Sequence, residues 1–302
     1  MVHTKDLLDF RPAEGQQARH VRFPGDLSNS VSTLDYKNDR LKLFSIDAGD
    51  MDSPAGEALL ESFEGESPFT KLVIYSPSND ASSWTKLGFH MEGTIRGYFR
   101  DGSDAHLWAR YSDDVRGLEE ELKSLDEIIE LAGDKSVEEP AMPAELSTRI
   151  ATEADAERLA NLLDHTFDEY PKEISAEAIR KLILSQRAVY RVATTEDGGI
   201  VACACIELDL GHRTGEVTEC ATYEPYQGKG LMGYLIRELE EDIANRFGIT
   251  NLYSTARAHE VGMNVVLAKL GYEYTGRQIN NCRMPTGWES MNIWCRTTVP
   301  TN

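Results

Sequence analysis

The 302-residue sequence predicts an α/β (α+β) protein: a mixed central sheet, preceded by a smaller, degenerate half-domain. Three features carry that expectation. Strand-like and helix-like segments interleave from residue 147 to residue 302, as in a sheet with helices packed on it. A glycine-rich loop, Gln227-Gly228-Lys229-Gly230, stands between a strand and a long amphipathic helix. Residues 1–136 show a shorter β-α-β-α-β-β order with no such loop.

The first 30 residues hold Pro12, Gly15, Pro24 and Gly25 among polar residues and read as irregular. Residues 41–46 read as a strand. Pro54 opens a short helix, where its missing N–H costs nothing. Residues 71–75 are a buried-type strand, and a helix over 78–87 stops at Gly88. Strands follow at 89–99 and 105–111. A charged helix over 113–131 carries Leu118, Leu122, Leu125 and Ile129 on one stripe. It is too short for a coiled coil and is expected to pack on a domain. Two prolines and two glutamates mark a linker at 137–143. The expected division is therefore a half-domain 1–136, a linker 137–146 and a domain 147–302.

In the second part a strand at 146–150 precedes a helix capped by Thr152. A further helix spans 175–186. Strands at 188–195 and 200–208 meet at an Asp-Gly-Gly turn. The strand 216–223 leads into the glycine loop, and the helix after it ends at Gly248. A strand at 251–256, a helix at 261–269 and strands at 272–279 and 291–296 complete the order.

Composition narrows the function. The chain has no apolar run long enough to span a bilayer and begins without an apolar signal segment. No membrane association and a cytoplasmic location are the expectations. The five cysteines are odd in number, and Cys203 and Cys205 share one strand face. They are too close together for a zinc knuckle, so reduced thiols and no metal are expected. Net charge is −20. It is uneven, with 29 acidic against 15 basic residues in 1–146 and 22 against 16 in 147–302. Such a surface disfavours nucleic acid and anionic membranes and attracts a small cationic amine. It serves solubility equally well. Oligomeric state is not legible.

The glycine loop is the most informative stretch. Glycines let the backbone approach a ligand, and free N–H groups at a helix start, with the helix dipole, suit a pyrophosphate. The spacing Gly228, Gly230, Gly233 also matches the dinucleotide fingerprint G-x-G-x-x-G. Four residues separate strand from glycine, however, and the next strand ends in Ser-Thr rather than an acid. A plain tight turn is the third reading. Glu219 lies upstream on the strand as a candidate general base, with Glu216 second. On a regular strand the two would point to opposite faces.

Gln227, Gly228, Lys229 and Gly230 resemble motif A of the GCN5-related N-acetyltransferases (GNAT). Met232 stands where that motif has its last small residue. Residues Ala256-Arg257-Ala258, a helix through Met263 and Asn264, and Leu270-Gly271-Tyr272 look like motif B. The resemblance covers about 145–296. A narrower one, to the β-lysine Nε-acetyltransferases, lies in residues 262–281 and 289–294. It extends to Asn38-Asp39-Arg40, to residues 87–99 and to Asp104-Ala105. The first 136 residues then look like a companion half-domain without a cofactor site.

The resemblance implies the GNAT fold, acetyl-CoA as cosubstrate and transfer to the ε-amine of β-lysine, giving the compatible solute Nε-acetyl-β-lysine. It implies that Ala221, Thr222 and Tyr223 bond the pantetheine arm. The amides of Gly228, Lys229, Gly230, Leu231, Met232 and Gly233 would cradle the pyrophosphate. Lys229 adds charge there or points into water. Many members carry a tyrosine four residues before the Gly-aromatic pair to protonate the thiolate, and here that position is Leu267. Tyr253 or Tyr272 substitutes, or no acid is needed. Arg257 and Arg277 could clamp a carboxylate, and Asn280, Asn281, Glu289 and Asn292 could line the pocket; turn and edge chemistry is the alternative for all six. Another cationic amine (lysine, ornithine, a polyamine) is the second reading, and a non-catalytic acetyl-CoA sensor the third.

Overall fold

The computed structural model describes residues 10, 12–29, 31–65, 67–167, 170 and 174–298. The chain divides into two compact units. One holds Met1–Ile95, Asp104–Glu120 and Gly276–Met291; the other holds Arg96–Ser103, Glu121–Thr275 and Asn292–Asn302. The segment expected as a linker, 137–146, thus lies within the second unit, and residues 276–291 count with the first.

The first unit runs β1 (Ala18–Val21), β2 (Ser32–Asp35), β3 (Arg40–Phe44), α1 (Ala48–Met51), α2 (Pro54–Glu64), β4 (Lys71–Ser76), α3 (Ala81–Lys86), β5 (His90–Ile95), β6 (Ala105–Tyr111) and α4 (Asp114–Gly117). Pro54 opens α2 as expected, with the Ser53 hydroxyl accepting from the Gly56 amide. Asp80 caps α3 in the same way. All six residues of β4 are buried, because this strand lies inside the order β1-β2-β3-β4-β6-β5. Among the described residues of this unit, pairing is parallel only between β3 and β4. Leu41, Leu43, Leu72, Ile74, Phe63 and the stacked Trp84 and Trp108 fill the core.

Two expectations need correction here. Residues 1–30 are not wholly irregular, since β1 and a single 3-10 turn (Gly25–Asn29) lie among them, and β2 follows. Residues 1–9, 11 and 30 lie outside the described set. The helix expected over 113–131 is broken. It stops at Gly117 and resumes at Leu122 as α5 (Leu122–Gly133). The Asn280 side chain donates to the carbonyls of Arg116 and Leu118, at 3.2 and 2.8 Å, so these end groups are satisfied without another helical turn. The apolar stripe shrinks accordingly. Leu118 and Leu122 are 59% and 46% exposed, while Leu125 is buried.

After α5 the second unit continues with β7 (Ser147–Ile150), α6 (Ala156–Thr166), α7 (Ala176–Leu184), β8 (Ala188–Thr194), β9 (Ile200–Asp209), β10 (Thr214–Thr222), α8 (Leu231–Phe247), β11 (Asn251–Arg257) and α9 (Val261–Lys269). The hairpin β12 (Glu273–Met284) and β13 (Gly287–Thr297) is the last regular structure among the described residues, its open end in this unit and its tip in the first. The order is β7-β8-β9-β10-β11-β13-β12. Pairs from β7 to β10 are antiparallel, and β10–β11 is parallel. This is the mixed sheet the sequence predicts. Helix α8 covers one face, where Leu235, Leu239 and Ile243 share a core with Val217 and Leu252 of the sheet and Leu267 of α9. Helices α6 and α7 cover the other through Leu159, Leu163 and Ile179 on Tyr190, Cys203 and Cys205. The two cysteines do share a face, and both are buried. Among the described residues no helix is long and apolar enough to cross a membrane.

Buried ions hold β12 in the first unit. Lys71 is 0% exposed; its ammonium donates to Glu92 Oε1 at 2.8 Å and to the Ile279 carbonyl at 2.7 Å. Burial pulls its pKa down to about 8, opposed by the Glu92 carboxylate. Glu92 also accepts from the Tyr111 hydroxyl and the Ile279 amide. Arg40 bonds Asp35 at 2.7 Å and the Asn281 carbonyl at 3.0 Å. Gly276 is paired with Gly93, and a Cβ on it would sit 2.3 Å from the Glu92 carbonyl. Removing one member of a buried ion pair strands the other. Lys71→Met should therefore destabilise the protein by about 3–5 kcal/mol in denaturant unfolding, with part recovered by adding Glu92→Gln. A loss under about 1 kcal/mol would show that the pair is not a brace.

Candidate active site

The site begins with an irregularity in β10. Thr218 pairs with Cys205 of β9, but the next pair is Ala221 with Cys203. One extra residue is thus accommodated, a β-bulge, and Glu219 takes φ +48° to make it. The left-handed region is costly for a residue with a Cβ. Local bonds offset that cost. The Glu219 amide donates to the Tyr170 hydroxyl oxygen at 3.1 Å, and the Cys203 thiol donates to its carbonyl at 3.4 Å. Tyr170 Oη also lies 3.0 Å from Thr218 Oγ1.

The bulge changes which way the carboxylates face. Val217 points into the core under α8, so by alternation Glu216 and Thr218 point to the opposite face. Past the bulge, Glu219 is on that face as well. Its carboxylate accepts from the hydroxyl of Tyr190, a residue of the α6–α7 core. The regular-strand condition fails, and both candidate bases share one face. Glu219 is 4% exposed. Burial raises the Tyr190 phenol far above its ordinary value, so this hydroxyl stays a donor. Glu216 accepts from Thr255 Oγ1 at 2.6 Å and from the Tyr253 hydroxyl at 3.3 Å.

The same region opens the sheet. β10 pairs with β11 at Thr214–Asn251, Gly215–Leu252 and Glu216–Tyr253, and the register goes no further. Ser254 Oγ donates to the Val217 carbonyl at 2.8 Å, at the point of divergence. Beyond it, residues of β10 alternate between facing β9 and facing the split. Tyr223 donates its amide to Val201 of β9, and its carbonyl accepts from Tyr226. By alternation Ala221 also faces β9, which leaves Cys220 and Thr222 facing the split. Of the three residues expected to meet a pantetheine arm, only Thr222 has its backbone so turned.

A 3-10 turn (Glu224–Tyr226) leads into the loop. Gln227 Nε2 donates to the Thr222 carbonyl at 2.9 Å and so ties the loop back to the strand. Gly228 and Gly230 have φ +74° and +75°. A Cβ on either would meet nothing within 4 Å, so the dihedral, not crowding, calls for glycine. The first intrahelical bond runs from the Tyr234 amide to the Gly230 carbonyl. The amides of Gly230, Leu231, Met232 and Gly233 precede it and have no acceptor inside the helix. They stand at the positive end of a 17-residue helix dipole, a fit for a diphosphate. Leu231 and Met232 turn their side chains into the α8 core. Gly233 is buried opposite Pro140 and serves packing besides its amide. Lys229 is exposed, its ammonium 5.3 Å from the Tyr226 ring centre.

The position where a thiolate acid is usual holds Leu267, which is 0% exposed in the α8 core. Tyr272 is buried beside Glu240, and burial raises its phenol far above the ordinary value. Glu240 lies about 15 Å along α8 from the loop, at about 1.5 Å per residue. Tyr272 is therefore not placed to substitute. Tyr253 of β11 pairs with Glu216 of β10, and its hydroxyl donates to the Glu216 carboxylate.

The six residues expected at the substrate fall in both units. In the first, Asn280 adopts φ +43° and spends its side chain on α4, and its amide donates to Ser290 Oγ at 2.9 Å. Asn281 donates to Gln278 Oε1 at 3.1 Å, Glu289 accepts from Thr286 Oγ1 at 3.1 Å, and Arg277 is buried. In the second, Arg257 lies 3.4 Å from Glu260, and Asn292 donates to Asn264 Oδ1 at 3.0 Å. Asn264 was not anticipated as a hub. It donates to the carbonyls of Arg257 and Glu260 at 3.0 and 2.8 Å and accepts a second bond from Trp294 Nε1 at 2.8 Å. All four of its hydrogen-bonding positions are filled, and it ties the end of β11 and the start of α9 to β13.

The sequence profile of the Acetyltransferase (GNAT) family matches residues 156–272. A β-lysine N(6)-acetyltransferase of Methanosarcina mazei is 30% identical over 259 residues, 78% of this chain and 94% of that one. The N-acetyltransferase YodP of Bacillus subtilis is 33% identical, over 75% of this chain and 82% of its own. A β-lysine N(6)-acetyltransferase of Methanococcus maripaludis is 25% identical, over 89% and 96%. The profile takes in the bulged strand, the glycine loop and α9, and the similarity runs on well outside it, through nearly the full length of two relatives. This chain belongs to the GNAT acetyltransferase family.

Proposed function

We propose that this acetyltransferase moves the acetyl group of acetyl-CoA to the ε-amine of β-lysine, and that its product, Nε-acetyl-β-lysine, serves as a compatible solute. The observation that carries the reading is similarity to two proteins named β-lysine acetyltransferases over 94% and 96% of their lengths. The acidic composition suits a cationic amine. The family uses acetyl-CoA and acylates amines, and so does this chain.

Acetyl-CoA, when bound, supplies a thioester carbonyl open to attack. The loop amides from Gly228 to Gly233 would hold its diphosphate, and the backbone of Cys220 and Thr222 would meet its amide-bearing arm in the split. A lysine-type amine has a pKa near 10.4 and arrives protonated. Glu219 would take that proton directly or through one water. Its bonds to Tyr190 and Tyr170 fix the carboxylate and the backbone beneath it. No acid stands at Leu267, so the thiolate leaves unprotonated or meets Tyr253.

Three measurements test this. Gly230→Val forces a β-branched residue to φ +75°, at a cost of about 1–2 kcal/mol, and should weaken CoA binding by roughly tenfold in a calorimetric titration. Unchanged affinity would remove the loop from the site. Glu219→Gln should lower kcat at neutral pH by about 10²–10⁴-fold. The deficit should shrink as pH rises toward the amine's own pKa, where the amine loses its proton unaided. A near-normal rate at pH 7 would exclude Glu219 as base. Finally, equal β-lysine, α-lysine, ornithine and spermidine should compete for acetyl-CoA, with products read by mass spectrometry. We expect β-lysine to win by roughly tenfold or more, because a misfit leaves a buried partner unpaired. Preference for spermidine would refute the substrate and keep the acetyltransferase.

A further inference from the structure

We infer that Glu216 is the specificity residue for the second, non-reacting ammonium of a diamino substrate, while Glu219 faces the amine that is acetylated. This rests on the amine-acetyltransferase reading above and adds the substrate class to it.

The bulge supplies the geometry. Without it, carboxylates three residues apart would lie on opposite faces of β10. With it, Glu216, Thr218 and Glu219 look out on one face, at the point where β10 and β11 part. At about 3.3 Å per residue the two acids sit roughly 7–10 Å apart along the strand. That is the scale of an extended diamino chain. A substrate with one charged nitrogen can satisfy only one of them.

The surroundings of Glu216 suit recognition. Both of its carboxylate oxygens are held, Oε1 by Thr255 and Oε2 by Tyr253. Both donors are neutral hydroxyls, so they orient the carboxylate and leave its charge intact. Among the described residues no cationic side chain pairs with it. Glu216 is half-buried. A half-buried carboxylate oriented by hydroxyls has lone pairs left for an incoming ammonium, and a hydrogen bond between two charged groups is stronger than a neutral one. The Tyr253 ring packs edge-on to Tyr98, 6.1 Å between centres, and Tyr98 packs on His212 at 4.9 Å. Aromatic faces beside the acid favour an ammonium further. The opposite assignment, Glu216 as base, fits less well. Glu219 stands on the bulge itself, next to Cys220, beyond the point where β10 and β11 stop pairing, whereas Glu216 is still paired with Tyr253.

The test compares β-lysine with 6-aminohexanoate, which keeps the ε-amine and the carboxylate and lacks the second nitrogen. In wild type, kcat/KM should favour β-lysine. Glu216→Gln removes the charge; its amide oxygen still accepts from one of the two hydroxyls, and its NH2 must donate to the other. It should raise KM for β-lysine by roughly tenfold to a hundredfold, with a far smaller change in kcat, and should collapse the β-lysine to 6-aminohexanoate ratio toward one. Glu216→Asp should restore part of the ratio. CoA titration checks that each variant is folded. If Glu216→Gln fails to fold, Thr255→Val and Tyr253→Phe, which release the carboxylate, should shift the ratio in the same direction. An unaltered ratio in every variant overturns the proposal. So does an equal kcat loss on both substrates that high pH rescues, the signature of a base. Should another diamine outcompete β-lysine, the β-lysine assignment alone fails, and that diamine replaces it in the ratio. A wild-type preference for 6-aminohexanoate over every diamine ends both.

Discussion

One extra residue in β10 is the constraint from which the geometry of the second unit follows. β9 pairs with β10 on both sides of the bulge, so the strand stays anchored while its other edge turns away. A bulge bends and twists its strand locally, and pairing with β11 stops at Glu216 and Tyr253. The sheet is thereby opened from within, beside the helix start that carries the glycine loop. The left-handed Glu219 costs about 1–3 kcal/mol. Tyr170, Tyr190 and Cys203 bond its amide, carboxylate and carbonyl and keep it there. Strain of this kind persists only where surrounding contacts over-determine it, and here three side chains do.

The loop depends on that anchor. Gln227 returns to the Thr222 carbonyl, so the exit of β10 and the entry of α8 move as one piece. Gly233 seats the first turn of α8 against Pro140, in the segment that joins α5 to β7. The Asn264 hub braces the other wall, holding the last residue of β11 to α9 and β13. Buried Asn with every position filled is a rigid joint, because moving any one partner leaves a polar atom unpaired in a dry interior. Both lips of the split are thus held from outside, which is what pre-organisation requires.

What was legible in the sequence follows from where the determining information lies. Gly228, Gly230 and Gly248 announce left-handed backbone by residue type, so the loop and both ends of α8 could be read directly. The bulge could not, because Glu219 adopts a glycine-like φ with a Cβ in place, and only long-range partners permit it. The break between α4 and α5 was hidden for the same reason. Its cause, Asn280, lies more than 160 residues away in sequence. Polar residues in strand-like text leave pocket lining and turn or edge chemistry both open, and Asn280, Asn281 and Asn292 each make hydrogen bonds within the fold. A polar residue in a strand signals a buried bond as readily as a ligand contact, and single-sequence periodicity does not separate the two.

Charge is distributed so that recognition is local. The first 146 residues carry most of the acidic excess, and the charges buried there, Arg40, Lys71 and Arg116 with Asp35 and Glu92, nearly cancel, so that excess lies on the surface. Burying these cations adds little net stability, since desolvation cancels much of the attraction. It does fix the place of Ile279 and Asn281 of β12, whose carbonyls accept from Lys71 and Arg40, because a slip would leave both cations short of a partner. The acidic surface draws amines over only about 8–10 Å at ordinary ionic strength, and about 3 Å near 1 M. In concentrated salt, long-range attraction therefore contributes almost nothing to choosing a substrate. A carboxylate such as Glu216, half-buried and oriented by hydroxyls, is screened far less and keeps its discrimination where the surface field has faded.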